Sequence, residues 1–119
     1  MTKAEQASIV STELVEGVTI ARVHCPAVRE REAGVIQGEV IAAAAESSSR
    51  VAIDFSRVTM LPSVGLGMLI SLSNACRKSG GKLALFGLDE NLTQLLRLSN
   101  LDRLLIVTPD QKKAIKKVS

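Results

Sequence analysis

Apolar segments typical of strands alternate with amphipathic helical segments along most of this 119-residue chain. The sequence predicts the element order β-β-α-β-α-β-α-β-α. Strands separated by single helices are joined by right-handed crossovers, which favours one mainly parallel sheet. The predicted fold is therefore a single α/β domain over residues 1–119 with its ordered core at about residues 8–118. Its sheet is mixed and mostly parallel, with an N-terminal hairpin and about four helices.

The strand predictions rest on runs of β-branched and aliphatic residues. A tight turn at Glu16 and Gly17 joins the first two runs into a hairpin. Asp54 is the one polar residue in the third run, which predicts a central place in the sheet for that strand. The five predicted strands are residues 8–16, 18–23, 51–55, 82–86 and 104–107.

The first two predicted helices flank the third strand. The second is predicted to run from Ser63 to Ser79, with Gly80 and Gly81 supplying a left-handed C-cap. The first follows the polar stretch 29–32, and its apolar stripe is Val35, Ile36, Val40, Ala43 and Ala44.

Two further helices are predicted in the last third of the chain. Asp89 caps the third helix, and the segment 108–111 matches a capping box with Thr108 at the N-cap and Pro109 at the first helical position. The apolar residues predicted to face inward are Leu92, Leu95, Leu96 and Leu98 in the third helix, and Ala114, Ile115 and Val118 in the fourth.

Composition excludes several classes of protein. The chain is 46% hydrophobic, which excludes disorder, and no apolar run approaches the roughly 20 residues that a membrane span needs. The first residues lack the apolar core of a signal peptide, so we expect a cytoplasmic protein and no membrane partner.

Few residues are suited to catalysis or metal binding. Cys25 and Cys76 show no metal-ligand spacing, and His24 is the only histidine, so we expect free thiols, no metal and no cofactor. Leu61 stands where a nucleophile elbow has glycine, two residues before Ser63. No catalytic residue is predicted, and the chain is not expected to be an enzyme.

The basic charge lies in the second half of the sequence. Residues 1–50 carry five basic and seven acidic groups, whereas residues 51–119 carry ten basic and five acidic groups. Much of the excess comes from four lysines near the C-terminus, which suit the solvated face of a helix C-terminus. The chain has two phenylalanines and neither tyrosine nor tryptophan, so nucleic acid is not expected as a partner. The four lysines are Lys112, Lys113, Lys116 and Lys117.

The segment 62–67 places one hydroxyl between a buried strand and a long apolar helix. Pro62 excludes helix before it, so Ser63 is a candidate N-cap. A phosphate on Ser63 would meet free backbone N–H groups and the positive end of the helix dipole.

The second helix carries two apolar stripes. One is assigned to the core, whereas Leu66 and Ile70 form the other, which is either a wider core face or an exposed patch for a partner. Asp54 and Arg57 are candidates for a polar rim, although Asp54 could equally close the strand end with a backbone hydrogen bond. The core stripe is Gly65, Met68, Leu69, Leu72 and Cys76.

Four motifs in this order resemble the STAS domain, the fold of bacterial anti-sigma-factor antagonists that also occurs at the C-terminus of sulphate transporters. The resemblance is strong over residues 50–119 and rests on element order before that. The motifs are V-A-I-D-F-S-R-V, L-P-S-V-G-L-G-M-L-I, G-G-K-L-A-L-F-G and N-L-D-R-L-L.

The resemblance implies partner switching in bacterial transcription regulation. It implies that the unphosphorylated domain docks an anti-sigma factor that is also a serine kinase, and that a PP2C-type phosphatase reverses the phosphorylation. The family pattern D-S-S-G-L-G places the phosphoacceptor at Ser63, with Pro62 in place of the aspartate and Val64 in place of the second serine. The partner-binding residues then expected are Asp54, Arg57, Pro62, Ser63, Val64, Gly65, Leu66, Gly67 and Ile70.

Two other interpretations stay open at this point. Ser63 could be a helix cap alone. The domain could also be a STAS-type module that senses a small ligand or serves as a scaffold in a signalling assembly, without phosphorylation.

Overall fold

A computed structural model describes residues 2–119 and contains one five-stranded sheet in the order β1-β2-β3-β4-β5. The first two strands are antiparallel and the others are parallel to their neighbours. This confirms the predicted mixed sheet with an N-terminal hairpin and a central third strand. The strands are β1 (Val10–Val15), β2 (Val18–Val23), β3 (Arg50–Asp54), β4 (Lys82–Phe86) and β5 (Ile106–Thr108).

Five α-helices lie within the described residues, one more than predicted. The additional helix has only five residues and is held by a capping box between Thr2 and Glu5 rather than by an apolar stripe, so periodicity does not reveal it. None of the five is long and apolar enough to cross a membrane. The helices are α1 (Lys3–Ala7), α2 (Glu30–Ala44), α3 (Ser63–Lys78), α4 (Glu90–Leu98) and α5 (Gln111–Val118).

The sheet separates two cores of unequal size. Its larger core packs against α2, α3 and α4 and includes Phe55, Ile36 and Leu69, all fully buried. The opposite face is covered by α5 alone, through Ala114 and Val118. Side chains along β3 and β4 alternate between the two cores, so these strands are apolar on both faces.

The tight turn predicted at Glu16 and Gly17 joins β1 to β2. Glu16 has φ 51° and Gly17 has φ 79°, so both central residues are left-handed. Turns of this kind match the twist of the two strands that they join. The register that follows pairs Val15 with Val18 and Val10 with Val23.

Several predictions at the ends of elements were wrong. Residues 8 and 9 precede β1, and Leu104 is 52% exposed in a turn before β5. Leu98 is 83% exposed at the end of α4 rather than facing inward. Leu98 and Leu104 are apolar, but apolar character at the end of an element does not fix burial, and Ile9 is buried although it lies outside β1.

The predicted cap of the last helix was also wrong. Thr108 belongs to β5, and its hydroxyl donates to the Leu85 carbonyl at 3.2 Å. The N-cap is Asp110, which accepts from the Lys113 N–H at 2.9 Å. Both residue types can cap a helix, and pairing of Thr108 with Phe86 in the sheet decides between them.

Two other caps agree with the sequence. The Asp89 side chain accepts from the Leu92 N–H at 2.8 Å. At the end of α3, Gly80 has φ 86° and the Gly81 N–H donates to the Cys76 carbonyl at 2.8 Å. The second arrangement is a Schellman motif, which satisfies the last helical carbonyls.

Candidate functional site

Two loops at the carboxyl ends of the parallel strands are hydrogen-bonded to each other. The Pro26 carbonyl accepts from the N–H groups of Thr59 (2.8 Å) and Met60 (3.0 Å), and the Val28 N–H donates to the Met60 carbonyl at 3.1 Å. Met60 also forms a parallel bridge with Ala27. These bonds fix the segment that leads into α3. Periodicity does not reveal this contact, since it joins residues more than 30 positions apart.

Helix α3 begins one residue earlier than the cap prediction required. Pro62 is the N-cap, and its carbonyl accepts from Gly65 (2.9 Å) and Leu66 (3.1 Å). Ser63 occupies the first helical position, so the prediction that it is the N-cap was wrong. The N–H groups of Ser63 and Val64 have no intrahelical acceptor, which leaves them available to an anion.

Two exposed apolar residues stand close to Ser63 in the sequence. Val64 is 43% exposed and Met60 is 49% exposed, and Ser63 and Gly67 are also exposed. The Arg29 guanidinium lies 3.7 Å from the Met60 sulfur, which places a cation beside this patch. We call Met60, Ser63, Val64 and Gly67 the Ser63 surface.

The second apolar stripe of α3 lies between the two alternatives considered, a wider core face and an exposed patch for a partner. Leu66 is half-buried and packs against the larger core, and Ile70 is also half-buried. The first stripe is buried as predicted, since Gly65, Met68 and Leu69 all face the core. Leu66 therefore borders the Ser63 surface and the core at once.

The absence of a side chain at Gly65 allows close packing inside the protein rather than close approach of a partner. The residue is buried, and a Cβ there would lie 2.6 Å from Leu61 Cδ1 and 3.0 Å from the Val28 carbonyl oxygen. It offers little surface to a partner, and its expected part in partner binding stays a prediction. A Cβ at Gly67, by contrast, would meet nothing within 4 Å.

The two glycines lead to opposite expectations for alanine substitution. Gly67→Ala should stabilise the fold by about 0.5–1 kcal/mol, because glycine costs that much in a helix interior. Gly65→Ala should lower the free energy of unfolding by about 1 kcal/mol, because Val28 must move. Urea denaturation of both variants measures the difference. Equal stabilisation by the two substitutions would contradict the close packing of Gly65.

Asp54 holds the end of β3 within a polar network. One carboxylate oxygen accepts from the Ser56 N–H at 2.9 Å, and the other lies 3.3 Å from the Arg22 guanidinium. Arg22 also contacts Glu13 at 2.7 Å and Gln111 at 3.0 Å. The hydrogen bond to Glu13 is the main cause of the raised pKa of Arg22, with the weaker contact to Asp54 adding to it. The Asp54 side chain is 15% exposed, so it closes the strand end more than it offers a surface.

Arg57 and His24 form a second polar group beside this network. The His24 Nε2 is 2.7 Å from the Ser11 hydroxyl, and Nδ1 is 3.4 Å from an Arg57 nitrogen. Because arginine can only donate, this contact favours the tautomer that carries its proton on Nε2. His24 then donates to Ser11, which is the reverse of the arrangement that activates a serine. Within residues 2–119, no histidine or carboxylate is hydrogen-bonded to the Ser63 hydroxyl.

The two cysteines lie in different elements, Cys25 directly before Pro26 and Cys76 in the second half of α3. Burial raises the pKa of the Cys25 thiol, and nearby Glu32 adds to the shift. Burial alone raises the pKa of Cys76. Both cysteines are free thiols. No group of three or more metal-ligating side chains is found in the part of the chain that the structure describes.

A family model and several solved structures match this chain. A family model described as "Mlab, STAS domain" matches residues 27–108. A Thermotoga maritima protein assigned as an anti-sigma factor antagonist superimposes with a TM-score of 0.79 at 20% identity, covering 96% of this chain and 97% of that chain. An anti-sigma factor antagonist from Mycobacterium paratuberculosis gives 0.78 at 23% identity, with 92% of each chain covered.

SpoIIAA, an anti-sigma factor antagonist from Bacillus, shows the same fold. Its unphosphorylated form gives a TM-score of 0.73 at 14% identity, covering 91% of this chain and 94% of that chain. The structure of SpoIIAA has also been solved in a phosphorylated form, which gives a TM-score of 0.67. The family model spans more than half of the sequence, and the fold agrees with it: the chain belongs to the STAS domain family.

Proposed function

We propose that this protein is an anti-sigma-factor antagonist that docks an anti-sigma factor through the Ser63 surface. In this proposal the anti-sigma factor is also a serine kinase, and phosphorylation of Ser63 ends the docking. A PP2C-type phosphatase restores the unphosphorylated form. The observation that carries the proposal is the exposed Ser63 hydroxyl at the first position of α3, held on two hydrogen-bonded loops beside exposed apolar side chains.

The first turn of α3 can accept a phosphate without loss of the fold. It contains no acidic residue, and Pro62 caps it without a side-chain hydrogen bond. A phosphate on Ser63 would therefore be the first negative charge at this helix end. Interaction with the dipole is worth roughly 0.3–1 kcal/mol and favours the folded phosphoprotein.

The same phosphate opposes an apolar interface. It adds about −1.5 to −2 charges at pH 7. Met60 and Val64 precede and follow Ser63 in the chain and are exposed, so a docked partner would bury the new charge among apolar groups unless Arg29, which contacts Met60, or a cation of the partner paired with it. Each 1.4 kcal/mol of that cost lowers affinity about tenfold. Binding can thus change while the fold does not.

Pro62 gives the kinase step a distinct requirement. Its position is where the family pattern has aspartate, and proline supplies no carboxylate beside the acceptor. It does fix the approach to α3 and leaves its carbonyl bonded to Gly65 and Leu66. The proposed kinase must therefore position the Ser63 hydroxyl with its own groups.

The proposal is tested by affinity capture from the native host, followed by mass spectrometry. Wild type should retain an anti-sigma factor, and Ser63→Asp should lose it by at least tenfold. Ser71→Asp is the matched control, since Ser71 is exposed on the same helix but two turns further along. That control should bind like wild type.

Phosphosite mapping of the native protein completes the test. We expect a fraction of molecules to carry phosphate on Ser63. Equal capture of every partner by wild type and the folded Ser63→Asp variant would overturn the switch, whatever else is captured.

A further inference from the structure

A cleft lies at the opposite end of the sheet from Ser63. It is bounded by the C-terminal half of α3, the start of β4 and the segment 102–106, and has a volume of about 430 Å³. Ser63 lies at the carboxyl ends of the parallel strands, whereas this cleft lies at their amino ends. Pockets for small ligands begin at about 300 Å³, so the cleft is large enough for one.

Positive charge dominates the lining of this cleft. Arg77, Lys82 and Arg103 line it, against a single carboxylate from Asp102. None of the three cations forms a salt bridge within residues 2–119. Cations that line one cleft without forming salt bridges attract an anion and raise its local concentration.

Arg77 is held in place by neutral groups. Its guanidinium donates to the side-chain amide oxygen (Oδ1) of Asn74 at 3.2 Å and approaches the hydroxyl of buried Ser73 at 3.5 Å. These contacts orient the side chain without neutralising its charge. The remaining N–H groups of the guanidinium can bind an oxyanion in a bidentate manner.

The rest of the cleft is apolar. Leu83 and Leu105 are buried beneath it, and Leu104 is 52% exposed at its edge. No aromatic residue lines it, so the stacking that holds a nucleobase has no platform here. The cleft therefore suits an anionic head joined to an aliphatic tail better than a nucleotide.

We propose that this cleft binds a small amphipathic anion with a phosphate, sulfate or carboxylate head and a short aliphatic tail. Arg77, Lys82 and Arg103 hold the head, and Leu104 contacts the tail. The binding does not depend on Ser63 or on its phosphorylation, so it stands or falls separately from the proposed switch.

The test is a titration of the full-length ¹⁵N-labelled protein with octyl phosphate below its micellar concentration, followed by ¹H–¹⁵N NMR. Amide shifts should centre on residues 73–83 and 102–106 and be absent at residues 60–67. Inorganic phosphate should shift the same amides with weaker affinity, since it lacks the tail. Octanol should shift them little, since it lacks the charge.

Variants separate the head from the tail. The double variant Arg77→Gln/Arg103→Gln should bind octyl phosphate at least about tenfold more weakly, because both charged contacts are lost. Leu104→Ser should weaken octyl phosphate and leave inorganic phosphate unchanged. The matched control, Lys112→Gln/Lys116→Gln, removes two charges from α5 and should bind like wild type.

Three results would overturn the proposal. One is the absence of shifts up to about 1 mM octyl phosphate, the weak end of specific affinity. The second is equal binding by wild type and the Arg77→Gln/Arg103→Gln variant. In the third, the shifts centre on α5 and disappear in the lysine control, which would assign the binding to a general surface charge.

Discussion

Gly81→Ala is expected to lower the free energy of unfolding by about 3 kcal/mol or more, among the largest effects of any single substitution in this protein. A Cβ at Gly81 would overlap the carbonyl group of Ser49 and lie 2.8 Å from the Ser48 carbonyl oxygen. These are backbone atoms of the loop that leads into β3, so they cannot move away by a change of rotamer as a side chain can. Urea denaturation and the melting temperature measure the loss, which should be on the order of 10 °C.

Gly80→Ala is the matched control for this effect. Gly80 has φ 86°, but a Cβ there would meet nothing within 4 Å. Its substitution should cost only the left-handed strain of alanine, about 1–2 kcal/mol. If Gly81→Ala were no more destabilising than Gly80→Ala, the close approach of the two loops at the amino end of the sheet would be wrong.

The strands in the middle of the sheet were predictable because their burial shows in the sequence. Strand β4 has the predicted bounds, and its four apolar residues after Lys82 are all buried. The hairpin was predictable from Gly17 between two apolar runs, since glycine accepts the left-handed conformation, whereas the left-handed Glu16 was not predictable from its residue type. Elements at the edges gave weaker signals, as the three-residue β5 shows.

Helix ends were predicted well only where one residue could act as the cap. Asp89 had no competitor and caps α4 as expected. Two residues before α5, Thr108 and Asp110, could act as its cap. Thr108 is paired with Phe86 in the sheet, so Asp110 is the cap. At α3 the carbonyl of Pro62 fills the role expected of Ser63, because a carbonyl can accept helical N–H groups without help from the side chain.

The candidate site was predictable in position but not in construction. The sequence located Ser63 at the start of a helix after a buried strand, and the structure exposes it there. The bonds from Thr59 and Met60 to Pro26 were not predictable, since they depend on how two distant loops meet. The sequence also left open whether Asp54 contacts a partner or closes the strand end with a backbone hydrogen bond.

Phe55 is the buried residue on which the geometry of the Ser63 surface should depend most. It is fully buried in the larger core, directly after β3. Its N–H donates to the Phe86 carbonyl at 2.9 Å, and its own carbonyl accepts from Val58 at 3.0 Å. The backbone of Phe55 therefore ties the beginning of the loop that ends at Pro62 to the sheet, and its side chain ties it to the larger core.

Phe55→Ala is expected to lower the free energy of unfolding by about 3–5 kcal/mol, the usual cost of such a truncation in a core. Phe55→Leu should cost less than about 1.5 kcal/mol, because most of the volume is kept. Urea denaturation measures both losses. A loss below about 1 kcal/mol in Phe55→Ala would contradict the burial of this ring.

Amide hydrogen exchange then distinguishes a local effect from a general one. In Phe55→Ala the N–H groups of Thr59 and Met60 should exchange faster than the change in global stability explains, because the cavity lies under their loop. Phe86→Ala is the matched control, since Phe86 is buried in the smaller core on the opposite face of the sheet. That variant should lose stability without selective exchange at Thr59 and Met60. Equal exchange of these two amides in both variants, at equal stability, would show that the loop carrying the Ser63 surface does not rest on Phe55.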